Sequence, residues 1–440
     1  MRRTGTAPIV QALPPLVQLE EVSLYVHVPF CSSRCRYCDF YFETGRSPRV
    51  MQSTLDRILG ESDHYAEMLG HPIISSIYFG GGTPSVLPPQ MLDSFLARFR
   101  DIWRISAEGS RREWNFEANP ESVSGELLSV LEAHGVNRLS IGVQSFQDDE
   151  LRLLGRRARR PVSIAALELV ASSRRQVPHL NIDLMTGVPG QTALSVSQNV
   201  ETAVLFEPDH FSLYSLTIEE GTPLARMIDY GSVQMPTDDE QEATWFAARD
   251  AVTGHGFASY EVSNFARPGA ESAHNLRYWS LEPYLGLGPG AVSTLLAGGN
   301  VDRREVVPVR ITNPDLFVYG AHPANALPRE VEQISARDFL FEHFITGLRT
   351  REGVSLDRLS SIFGEGPVAA LEPLVADWRE RGLLAAKQPD RQAQRVLSLS
   401  EPERLKLDRH LLSLKGVIDA APVPDRMQGL LAKNGGFSYK

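Results

Sequence analysis

From Val22 to Ile218 short apolar runs alternate with longer stretches whose apolar positions recur every three or four residues. The runs Val22–Val28, Ile73–Phe79, Glu113–Ala118, Arg138–Val143, Leu180–Met185 and His210–Ile218 predict strands. The stretches Arg49–Leu69, Pro88–Arg100, Ser124–His134, Asp148–Leu154 with Pro161–Arg174, and Ser195–Phe206 predict helices. Regular alternation with short connections argues for a parallel sheet with helices outside it. The expected fold class is α/β, an open, partial (β/α)6 barrel. Glycine and polar residues gather where the strands end, at Cys31, Gly80–Thr83, Glu117, Gln144, Asp183 and Ser215. In βα-barrels that edge carries the chemistry.

The pattern changes after Glu220. A helix is expected from about Pro236 to Gly254, then a loop with His274-Asn-Leu-Arg-Tyr-Trp279, then Tyr284-Leu-Gly-Leu-Gly-Pro-Gly290. Residues 297–330 read as loop-rich, with Pro314, Pro323 and Pro328 marking a boundary. Residues 332–415 read as three helices, a strand at Arg395–Leu399 and a further helix. The expected divisions are a disordered leader (1–20), a partial barrel (21–235), an extension of it (236–330), a mostly helical, winged-helix-like domain (331–415) and a tail (416–440).

Composition narrows the function. The 440 residues carry a net charge of −10, which disfavours a general nucleic-acid surface. No apolar run is long enough to span a membrane, so contact with one would be peripheral at most. Pro8, Pro14 and Pro15 break the first residues where a signal peptide needs a continuous apolar stretch. A cytoplasmic protein is expected.

All three cysteines fall in Cys31-Ser-Ser-Arg-Cys35-Arg-Tyr-Cys38. Three thiolates at this spacing can converge on one soft metal centre. On a [4Fe-4S] cluster they leave one iron free to chelate a second ligand. Zinc is the rival, and it wants a fourth ligand, for which His27 is the candidate.

Tyr25–Cys38, Gly80–Pro84, Glu117, Gly142-Val-Gln-Ser-Phe146, Asp183–Pro189 and His274–Trp279 together resemble the oxygen-independent coproporphyrinogen III oxidase family of radical S-adenosylmethionine (SAM) proteins. Within it they are similar to the haem-chaperone branch, the HemW-like proteins. The resemblance runs from Val22 to about Gly290 and more weakly into the C-terminal helices. It implies a cluster on Cys31, Cys35 and Cys38. It implies SAM against Tyr25, Tyr37, Gly81, Gly82, Thr83, Glu117, Gln144, Arg156 and Asp183, with the methionine amino group on the glycines, the ribose on Glu117 and the methionine carboxylate on Arg156. It implies haem at His274, Tyr278 and Trp279, where an imidazole can ligate iron and flat rings can cover a porphyrin.

Three positions qualify the resemblance. The oxidases carry a further cysteine where this chain has Phe40, which favours the chaperone branch. Ala158 and Val292 stand where the branch usually has histidines. The function expected is a chaperone that binds haem, with a cluster and SAM, and passes it to an apo-haemoprotein acceptor. Whether it is also an enzyme stays open. The alternatives are radical decarboxylation of coproporphyrinogen III and radical chemistry on haem itself. The oligomeric state is not legible.

Overall fold

The computed structural model describes residues 13–105, 113–175, 177–298, 306–385, 395–424 and 427. Six parallel strands form the centre: β1 (Glu21–Val28), β2 (Ile73–Gly81), β3 (Glu113–Ala118), β4 (Arg138–Gln144), β5 (His179–Thr186) and β6 (His210–Ser215). They lie side by side in chain order. Helices α1 (Pro48–Met68), α2 (Pro89–Ile102), α3 (Gly125–His134), α4 (Asp148–Leu153), α5 (Arg160–Ser172) and α6 (Ala193–Val204) fill the crossovers. Ser47, Ser124 and Thr192 cap three of them, each hydroxyl accepting a backbone N–H of the first turn. One such cap is worth about 1 kcal/mol.

The sheet does not close. Beyond β6 it continues with the antiparallel β7 (Asn264–Ala266). Beyond β1 it continues with the parallel β8 (Tyr284–Leu287), then with antiparallel β9 (Val292–Gly298), β10 (Val306–Thr312) and β11 (Glu330–Gln333). The loop expected over 297–330 is therefore corrected: its described part holds β10, the short helix α10 (Leu316–Ala321; its predecessors α7, Pro223–Asp229, α8, Asp238–Gly254, and α9, Ala273–Trp279, follow β6) and the start of β11. The leader is also corrected in part. Leu16 bridges Ala297, Val17 N–H bonds to Leu296 O, and Leu19 N–H bonds to Leu69 O. Residues 1–12 lie outside the described residues.

The core sits between the sheet and its outer helices. Phe79 is its hub, packed on Phe95, Phe99, Trp114 and Phe116 with ring centroids 5.5–6.1 Å apart. A second core gathers Phe339, Phe344, Phe363, Trp378 and Leu414 from the C-terminal helices. These include α11 (Ala336–Gly347), α12 (Leu356–Phe363), α13 (Glu365–Ala369), α14 (Glu372–Glu380), α15 (Glu401–Arg404) and α16 (Asp408–Ala420). A two-strand antiparallel pair, Val354–Ser355 with Val396–Leu397, accompanies them.

Candidate functional site

The C-terminal ends of β1 to β6 open into a cavity of about 770 Å³. It is lined by Tyr25, Cys31, Cys35, Tyr37, Cys38, Gly81, Gly82, Thr83, Glu117, Gln144, Arg156 and Asp183. Every residue expected to hold a cluster or SAM thus faces one space, although they span more than 150 positions in the chain.

The cysteine loop is pinned from both sides. Arg36 N–H bonds to Leu154 O, and Leu224 N–H bonds to Arg36 O. Cys31 Sγ lies 3.6 Å from Thr83 Oγ1, and Arg156 Nη1 lies 3.6 Å from Cys35 Sγ. The three thiols are unpaired and half-buried. Burial pushes the Cys31 thiol up and the Cys38 thiol up to about 11. His27 does not complete a zinc site. Its Nε2–H donates to Tyr41 O at 2.9 Å, which leaves Nδ1 to accept from Tyr25 O–H at 3.0 Å. Both ring nitrogens are spent.

Gly81 and Gly82 form a bare cradle. Gly81 has φ +98°, and a Cβ there would lie 2.4 Å from the His27 ring. A Cβ on Gly82 would lie 2.7 Å from backbone atoms of Val28, Pro29 and Phe30. Such contacts keep side chains out and leave room for a ligand on the strand end.

The polar residues around the cradle are strongly constrained. Tyr78 O–H donates to Glu117 Oε1 at 2.5 Å. Burial, with Asp183 nearby, pushes the Glu117 carboxyl up to about 7. Burial also raises Asp183, which accepts from Ser140 Oγ at 3.1 Å and Asn181 Nδ2 at 2.8 Å. Gln144 takes a positive φ of +71° where β4 slips register, a strained conformation of a kind that concentrates at functional sites. Arg156 is buried and gives its Nη2 to Asn119 Oδ1 at 2.7 Å and to Gly142 O. Its Nε has no partner. A buried cation lining the cavity fits an anionic group such as an amino-acid carboxylate.

Of the expected haem residues, one lines the cavity. Tyr278 lines the cavity, and His274 and Trp279 do not. His274 is 1 % exposed on α9, with Nδ1 2.9 Å from Ser76 Oγ and Nε2 3.0 Å from Tyr278 Oη. Both ring nitrogens therefore face partners within the protein. Val292 lines the cavity, and Ala158 is buried. Phe40 stands at the cavity 75 % exposed.

Sequence reasoning missed several wall residues. Asn119 ties Thr83 Oγ1 (2.9 Å) to Arg156, and its position at a strand end before Pro120 was a usable signal. Met185, Tyr214, Tyr284 and Gly290 also line the space, Tyr284 from β8 and Gly290 from the turn between β8 and β9.

Comparison with known proteins shows the family and the fold. The radical SAM superfamily model matches residues 25–202, and the HemN C-terminal domain model matches residues 334–388. The haem chaperone HemW of Bacillus subtilis is 32% identical over 82% of this chain and 92% of its own length. The mouse mitochondrial radical S-adenosyl methionine domain-containing protein 1 is 34% identical over 80% of this chain and 79% of its own. Among solved structures, coproporphyrinogen III oxidase (HemN) of Escherichia coli superposes with a TM-score of 0.70, covering 93% of this chain and 91% of that one at 21% identity. At that identity the likeness is one of fold.

Proposed function

This chain belongs to the HemW family of radical SAM proteins, and from that we propose that it is a haem chaperone, binding haem and passing it to an apo-haemoprotein acceptor in the cytoplasm. Cys31, Cys35 and Cys38 hold a [4Fe-4S] cluster, and SAM lies against Gly81, Gly82, Thr83, Glu117, Gln144, Arg156 and Asp183, with Tyr25 and Tyr37 flanking. A bound cluster supplies one-electron chemistry on SAM. The chain's own part is binding and orientation. Arg156 meets the methionine carboxylate, Glu117 accepts from ribose hydroxyls, and the glycine cradle admits the amino group.

The observation that carries the chaperone reading is Phe40. It stands at the cavity beside the third cysteine, where the oxidases have a thiol, and a phenyl ring supplies neither acid-base nor redox chemistry. Its exposed ring is instead a flat apolar surface suited to a porphyrin face. The test is anaerobic incubation of reconstituted protein with coproporphyrinogen III, SAM and a reductant. No protoporphyrinogen IX is expected. Sustained conversion would return the oxidase reading.

A further inference from the structure

We infer that Glu150, which does not itself line the cavity, is a positioning residue for it: its carboxylate clamps the turn after β4 and so holds Gln144 in the left-handed conformation that sets it on the cavity wall. This rests on the SAM-binding reading above.

The turn needs a hold from outside itself. Gln144 has φ +71°, a region where the Cβ of any residue but glycine crowds the backbone. β4 slips against β5 at the same point: Gly142 pairs with Asp183, yet Gln144 pairs with Leu184. A bulge of this kind re-aims the end of a strand, and a strained residue in it persists only where neighbours fix it. Gln144 lines the cavity. A Cβ on Gly142 would lie 3.0 Å from the Gln144 amide nitrogen, so the bare glycine gives that side chain its room.

The hold acts through the next two residues, Ser145 and Phe146, both buried. Ser145 Oγ–H donates to Glu150 Oε2 at 2.6 Å, and Ser145 Oγ accepts from Gln147 N–H at 2.9 Å. Phe146 N–H donates to Asn199 Oδ1 at 2.8 Å, and Asn199 Nδ2 lies 3.2 Å from Ser145 Oγ and 3.4 Å from Glu150 Oε2. Gln191 Nε2 donates to Glu150 Oε2 at 3.0 Å and to Met185 O at 3.1 Å. Ser195 Oγ–H donates to Glu150 Oε1 at 3.0 Å. Four neutral donors thus converge on two carboxylate oxygens, a load that no apolar side chain of that length can accept. The buried Glu150 gathers the turn after β4, the turn after β5 and the first half of α6. Two cavity residues are each one step from it, Gln144 through Ser145 and Met185 through Gln191.

The test combines two readouts. The first is calorimetric titration of the reconstituted protein with SAM, with thermal unfolding alongside. Glu150→Gln keeps an oxygen for Ser145, Gln191 and Asn199 and can donate its N–H to Ser195 Oγ, so it should bind SAM like the wild type. Glu150→Met has a similar length and no such acceptor, and should weaken SAM by about tenfold. The Ser145→Ala/Asn199→Ala double variant frees the turn while leaving Gln191 and Ser195 on Glu150, and should lose as much. Gln144→Ala should also lose about tenfold, and adding Glu150→Met to it should cost no more, because the residue being positioned is gone. If Glu150→Met lowers Tm but binds SAM like the wild type, or if the two losses multiply, Glu150 only stabilises the fold and the inference is overturned. The second readout needs no SAM. A crystal structure of Glu150→Met, or of the Ser145/Asn199 double variant if the first does not fold, should show Gln144 at negative φ. A φ that stays near +71° would overturn the inference. A wild type that takes up no SAM would instead sink the functional reading, while the variant's backbone would still judge the clamp.

Discussion

At the scale of single residues, the site is a set of groups whose ordinary behaviour has been suppressed by burial. Glu117 is the clearest case. Its carboxyl is pushed up to about 7, so between about pH 4.3 and that value the empty site holds a proton that the unfolded chain has lost. Folded-state stability from this group is therefore full below about pH 4.3 and is lost as pH rises to about 7. SAM binding should run the other way. Ribose hydroxyls are best accepted by the ionised carboxylate, so affinity should strengthen as pH rises through about 7 and then level off. Calorimetry against pH checks this, with Glu117→Gln expected to flatten the profile. Gly82 gives a second expectation. Gly82→Ala places a methyl group against the backbone of Val28, Pro29 and Phe30, so it should abolish SAM binding and lower Tm. The cysteine spacing and the glycine run stand out because each is a local pattern; Glu117 was singled out through the resemblance. The partners of His274 were not legible, because the Ser76 hydroxyl reaches its ring from β2, almost two hundred residues away in the chain.

At the scale of elements, the six strands and their helices follow from apolar periodicity, and the observed ends lie close to those expected. The extension did not announce itself. β8 is four residues with a glycine inside it, β10 contains Pro308, and residues 299–305 between β9 and β10 lie outside the described residues. Short, glycine- or proline-bearing strands are built by pairing with a preformed edge, and sequence does not show that edge. Glu61 on α1 fastens the extension to the barrel. Its carboxylate accepts from Gly288 N–H at 2.9 Å, Asn313 Nδ2 at 2.9 Å and Tyr319 O–H at 2.7 Å, and it pairs with the buried Arg329 at 3.0 Å. Glu61→Ala leaves that guanidinium without its charge partner and should cost about 3–5 kcal/mol. Chemical denaturation measures it. Because Gly290 and Tyr284 line the cavity, the same change should weaken ligand binding.

At the scale of the whole molecule, one open sheet joins the cysteine loop, the strand ends and the extension around a single cavity. Among the described residues no helix is long and apolar enough to cross a membrane. The chain's order of motifs made the family legible; the cavity's far wall was not, because it comes from strands that follow the barrel by more than sixty residues. Replacing any one of Cys31, Cys35 and Cys38 with alanine should abolish cluster assembly, read as loss of iron and sulfide after anaerobic reconstitution. The central claim is that this family scaffold carries haem, and haem titration of the reconstituted protein, followed at the Soret band, tests it most directly. The account predicts saturable uptake of about one haem per chain, with porphyrin-ring bands that persist through gel filtration. A titration that shows only free haem, at every concentration and with SAM present, would contradict it.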